Sequence, residues 1–178
     1  MDLNPYSVAI GRGDGLVART GDVVMYVADT TGAASLLSAL AAAQSPGRAL
    51  AKALATIALG SDSGSIPPFG VLAPAGDGLL LILRGRVAAD IEADGARRTL
   101  AGDRALTWVD ETVREPVDKI VIGGRDVSGL TACPHTDLRA GVVPGGGFVV
   151  HRVAAAQPAA PPPPVAEQIE PETRAAPR

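Results

Sequence analysis

The chain has 178 residues and a formal net charge of −3; 47% of it is hydrophobic but only 3% aromatic. Such a chain has no basic stripe for nucleic acid, no run of the ~18 apolar residues that a membrane span needs, and, with Cys133 alone, no internal disulfide. The core must be built from Val, Leu, Ile and Ala, and about 150 residues suffice for one domain.

The first elements are short strands at Tyr6–Ile10, Gly15–Arg19 and Asp22–Ala28, punctuated by Gly11-Arg12-Gly13-Asp14-Gly15 and Thr20-Gly21-Asp22. A helical hairpin follows. Thr30 or Thr31 can cap a helix carrying Leu36, Leu37 and Leu40; Ser45-Pro46 restarts a second with Leu50, Leu54 and Ile57 on one face, stopped at Gly60. After a polar loop at 61–68, a β-meander runs through Phe69–Ala73, Leu79–Leu83, Arg86–Glu92 and Arg97–Leu100. The run Leu79-Leu80-Leu81-Ile82-Leu83 does not alternate, so both its faces should be covered, one by the helices and one by another layer. Thr107–Val109 and Val117–Ile122 extend the sheets. Leu138–Val143 and Phe148–Arg152 read as a hairpin around Pro144-Gly145-Gly146-Gly147.

From Ala154 the composition changes: residues 154–178 hold seven of the fifteen prolines and one isolated Ile169. That segment cannot bury enough apolar surface to offset its ordering entropy and reads as a disordered Pro/Ala-rich linker. The expected organisation is a globular α+β module over 1–153, mostly antiparallel and sandwich-like with the helical hairpin packed on one face, then the tail at 154–178. The N-terminus lacks the basic and apolar regions of a signal peptide, and the expected location is the cytoplasm.

No catalytic constellation stands out. Gly11–Gly15 is followed by a strand, not by the helix that a dinucleotide fingerprint requires, and reads as a tight turn. Gly145–Gly147 could cradle a phosphate with its amides, yet it lies between two strands and fits a hairpin loop better. Cys133, His135 and His151 are too few for a zinc site, and Cys133-Pro134-His135 lacks a third group to orient a nucleophile. Most aspartates adjoin glycine, as turn formers do. Asp29 differs: it ends a strong strand and precedes a helix, where a carboxylate can cap the helix or hold a divalent metal. Arg97-Arg98, the densest basic spot, falls in a turn.

Two resemblances extend this reading. The run Pro68–Pro74, the segment GDGLLLILRGRVAADI, LAGDRALTWVDETV (100–113) and DLRAGVVPGGGFVV (137–150) before a Pro-rich linker resemble a module of actinobacterial, especially mycobacterial, proteins. In those proteins the module precedes a linker and a forkhead-associated (FHA) domain. The resemblance implies a bacterial regulatory protein linked to Ser/Thr phosphorylation. Val121-Ile122-Gly123-Gly124-Arg125 looks like an FHA Gly-Arg loop, but the Ser-x-x-His and Asn-Gly elements are missing, so no phosphothreonine role passes to these residues. The order strand, Asp, helix pair, strand, hairpin is similar to metal-dependent PP2C-type phosphatases. That similarity implies Asp29 at the first metal position; at the second, Arg84-Gly85-Arg86 puts arginines where an acid belongs.

The expectation is therefore a non-enzymatic interaction or regulatory module of a signalling protein, tethered to an FHA-type domain, with protein partners, no nucleic acid and no cofactor. A degenerate PP2C-like phosphatase, with Asp29 as its metal ligand, is the alternative. An oligomerisation domain, using the Ala-rich helices, is the third.

Overall fold

The computed structural model describes Leu3 and residues 6–42, 52–56 and 66–153. These form eleven strands: β1 (Tyr6–Gly11), β2 (Leu16–Thr20), β3 (Val23–Val27), β4 (Phe69–Ala75), β5 (Gly78–Arg84), β6 (Val87–Ala93), β7 (Ala96–Ala101), β8 (Val109–Val113), β9 (Val117–Gly124), β10 (Gly141–Pro144) and β11 (Gly147–Arg152). One helix, α1 (Ala33–Ala42), follows β3, and residues 52–56 are also helical.

The strands make two antiparallel sheets, one in the order β1-β11-β9-β6-β7 and one in the order β10-β2-β3-β4-β5-β8. Strand side chains alternate between faces, and that period divides β5 cleanly. Leu79, Leu81 and Leu83 enter the core between the sheets with Val8, Val24, Leu72, Ile91, Ile122 and Phe148. Ile82 and the half-buried Leu80 point the other way, into a second cluster formed with α1. The unalternating LLLIL run is thus covered on both faces, as its composition requires. The architecture is the expected mostly antiparallel α+β sandwich.

Ala33, Leu36, Ala39 and Leu40 form the buried stripe of α1, which lies on the outer face of the six-stranded sheet with Leu54 in the same cluster. Alanine on that stripe lets the helix approach the sheet closely. The restart at Ser45-Pro46, Leu50, Ile57 and the stop at Gly60 lie outside the described residues, as does the tail from Ala154.

Three expectations need correction. The stretch Phe69–Leu100 is not one meander: β4 and β5 pair in the six-stranded sheet, whereas β6 and β7 pair in the other. The chain changes sheets at Arg84-Gly85-Arg86, because β5 has β4 and β8 as neighbours and leaves β6 no free edge. Nor is Gly145–Gly147 a hairpin loop, since β10 pairs with β2 and β11 with β1 and β9. Arg97 and Arg98 lie within β7, where the strand Arg97–Leu100 is expected, and not in the turn beside it; that turn is Asp94-Gly95, both at positive φ, which closes the two-residue β6–β7 hairpin.

The first and last strand pairs form one folded ribbon. Tyr6↔Arg152 through Gly11↔Gly147 pair in one sheet, and Leu16↔Pro144 through Arg19↔Gly141 pair in the other. At the bend, residues 12–15 oppose only 145 and 146, a two-residue bulge that turns a continuous ribbon through the sandwich corner.

Candidate functional site

The bend of that ribbon gathers the glycine strings that are far apart in sequence. Gly146 N donates to Gly11 O at 2.9 Å, and Gly145 N donates to Gly15 O at 3.1 Å. Backbone lies directly on backbone here: a Cβ at Gly146 would come within 2.5 Å of Arg12 O and 2.8 Å of Gly13 Cα. The end of β9 adds Gly123, Gly124 and Arg125, since Gly123 is the register partner of Gly147. The three motifs that sequence offers separately, at 11–15, 121–125 and 145–147, therefore converge on one corner.

They surround a cleft of about 340 Å³ lined by Arg12, Asp14, Tyr26, Arg125, Asp126 and Leu130, with glycines 13, 124, 129 and 146 between them. Tyr26 is buried, and its hydroxyl donates to the Asp14 carbonyl at 3.4 Å. Burial, helped by the Asp14 carboxylate, raises the Tyr26 hydroxyl above its ordinary range. Asp126 is held within its own turn by Ser128 Oγ and the amides of Gly129 and Ser128, which keep its carboxyl below the usual range. Arg125 pairs with Asp103 at 2.8 Å, with the arginine side chain 70% exposed. Arg12 is exposed, and its guanidinium has no partner among the described residues.

Asp29 lies elsewhere. It is exposed, just beyond β3, and its Oδ1 accepts the Thr31 N–H at 2.8 Å. That is an Asx turn rather than a helix cap, because α1 opens only at Ala33, after Gly32 at φ 80°. Register links it with the second PP2C-like position. Val27 pairs with Phe69 and Phe69 with Arg84, so the end of β3 and the β5–β6 crossing share one end of the six-stranded sheet. At that crossing Arg84 is buried and donates to the Thr107 carbonyl at 2.7 Å. Among the described residues no three His, Cys, Asp or Glu side chains group as a metal site.

Cys133 and His135 belong to a strap along the outer edge of β1. Cys133 N donates to Ile10 O and Leu138 N to Val8 O. Thr136 Oγ1 accepts the Ile10 N–H and donates to Cys133 O, while Asp137 Oδ1 accepts the Val8 N–H. Two side chains thus stand in for strand carbonyls and satisfy an edge that would otherwise be open. His151 sits apart, on β11 opposite Ser7 and Lys119, so the three soft ligands are not assembled.

Sequence reading missed one polar cluster on the outer face of the five-stranded sheet. Asp90 is buried and takes Arg97 Nη2 at 2.6 Å together with the Thr99 hydroxyl. Burial pushes its carboxyl upward, but the Thr99 and Arg97 hydrogen bonds and the Arg97 and Lys119 charges outweigh it, and Asp90 stays below its ordinary range. The signal was available: with Val87, Ala89 and Ile91 inward, Asp90 must point outward, directly opposite Thr99.

The chain matches no family model, no curated protein and no solved structure. No helix among the described residues is long and apolar enough to cross a membrane.

Proposed function

We propose that the domain is a non-enzymatic interaction and regulatory module of a bacterial signalling protein, tethered through residues 154–178 to an FHA-type domain. The observation that carries the reading is the Arg84–Thr107 bond. A metal-activated hydrolase of the PP2C type needs carboxylates to neutralise its cations; here the corresponding turn presents Arg84, whose guanidinium is spent on a loop carbonyl. The same bond fixes the backbone beside Leu106, a fully exposed leucine at the tip of 102–108, with Trp108 half-buried behind it. A turn that offers a guanidinium in place of a carboxylate supports the interaction reading over metal-dependent turnover.

One observation favours the phosphatase-like alternative: Asp29 and the β5–β6 crossing share a sheet end. The readings separate in one pair of measurements, phosphatase turnover with Mn²⁺ and calorimetric titration of Mn²⁺. Neither turnover nor saturable heat is expected. Saturable Mn²⁺ binding that disappears in Asp29→Ala would overturn the interaction reading. Light scattering tests the third reading, since an oligomerisation domain cannot remain a clean monomer.

A further inference from the structure

We propose that the cleft at the glycine corner is a binding site for a phosphate monoester, held between the guanidinium groups of Arg12 and Arg125. This rests on the cleft residues alone and stands whether the domain is an interaction module or a trimmed phosphatase.

The two arginines come from different segments, Arg12 from the β1–β2 crossing and Arg125 from the end of β9, and line the same 340 Å³ space. A phosphate monoester at neutral pH carries close to two negative charges and three acceptor oxygens, which suits two planar guanidinium forks better than a carboxylate does. Arg12 has no partner among the described residues to give up. Arg125 must leave Asp103, but an exposed ion pair of that kind is weak and easily exchanged.

The carboxylates in the cleft act unequally. Asp126 is already engaged by Ser128 and its own turn amides. Asp14 has no ion-pair partner among the described residues and opposes an anion, so its removal should strengthen binding. Glycines 13, 124, 129 and 146 leave stretches of wall without side chains, where phosphate oxygens can meet the backbone closely.

The test is a titration of the full chain, ¹⁵N-labelled, with inorganic phosphate, phosphoserine and AMP, at constant ionic strength set with chloride. Saturable shifts are expected at the amides of Gly13, Gly124, Gly129 and Gly146. Arg12→Gln and Arg125→Gln should each weaken binding about tenfold, and Asp14→Asn should tighten it about threefold. Tighter binding of phosphoserine assigns a modified side chain as the source, and tighter binding of AMP a nucleotide; either supports the site. Shifts that grow linearly without saturating, that persist in the folded double variant Arg12→Gln/Arg125→Gln, or that arise with inorganic phosphate while both esters are refused would overturn the proposal. The dispersed spectrum of each variant shows that it is folded.

Discussion

Gly146 and Gly11 are joined by a 2.9 Å amide-to-carbonyl hydrogen bond at the point where each chain segment leaves one sheet for the other. The bond requires two backbones in direct contact, which no side chain at Gly146 would permit. A Cβ there meets Arg12 O and Gly13 Cα, both backbone atoms that cannot swing aside. Gly146→Ala should therefore lower unfolding free energy by about 2–4 kcal/mol in urea titration. Gly76→Ala is the control: its Cβ meets nothing within 4 Å, and only the φ of +60° opposes it, for a loss of about 1–2 kcal/mol. Equal losses at the two sites would show that the corner is not close-packed.

Thr136→Val preserves the shape of the side chain but removes the hydroxyl that serves both Ile10 N and Cys133 O. Leaving that part-buried pair unsatisfied should cost about 1–3 kcal/mol. Hydrogen exchange of the Ile10 amide should accelerate by more than the global loss accounts for. Thr136→Ser, which keeps the hydroxyl, should retain most of the Ile10 protection.

Arg84→Met tests the pinned loop. The methionine fills similar space but leaves the Thr107 carbonyl without its 2.7 Å donor, for an expected loss of about 1–3 kcal/mol. Amide exchange should rise locally over 104–108 and leave β4 unchanged. Unaltered exchange across that loop would show that Arg84 does not hold it.

Acid should destabilise the fold through Asp90 and Asp137. At Asp137 burial acts upward, but the Val8 amide, Arg139, the Ser7 hydroxyl and Arg19 outweigh it, so its carboxyl lies below the ordinary value, as that of Asp90 does. A folded-state pKa below the unfolded one means that the unfolded chain binds protons first as pH falls. The stabilisation is complete above the unfolded value near ~3.9 and is lost as pH drops through the lower folded value. Thermal midpoints should fall steeply below about pH 4. The slope should be shallower in Asp137→Asn, whose midpoint at pH 7 starts lower because Arg139 and the Val8 amide lose a charged acceptor.

Leu81→Ala probes the face of β5 that enters the space between the sheets. Its side chain is fully buried in that core, and truncation should cost about 2–5 kcal/mol. Leu106→Ala, fully exposed, should leave stability within about 0.5 kcal/mol of the parent.

Strand positions were legible because their signals are local. The β-branched run at 23–27, the Asp94-Gly95 turn and the apolar stripe on α1 each follow from neighbouring residues. The two-sided burial of LLLIL was legible as well, since a strand with no polar face has no solvent side. Sheet membership was not. Gly145-Gly146-Gly147 has the chemistry of a hairpin loop and of a corner bulge alike, and only the pairing of β11 with β1, some 140 residues away in sequence, decides between them. The same holds for the cleft: Arg12 and Arg125 become neighbours of one space through register, and nothing in either string announces the other. The strap at 131–138 was hidden for a further reason. Thr136 and Asp137 bond as surrogate backbone, a role without hydrophobic periodicity.

The folded ribbon also sets the order in which the domain can assemble. Among the described strands β1 is joined to its sheet only through β11, so the first of these strands waits for the last. Until residues 147–152 emerge, a nascent chain exposes the inner face of β1, with Val8 and Ile10, and β9 lacks a partner on one side. The slow step in folding should then be closure between the first and last strands of the domain. During translation the domain would stay open to chaperones, and to proteases, until nearly the whole of it has been made.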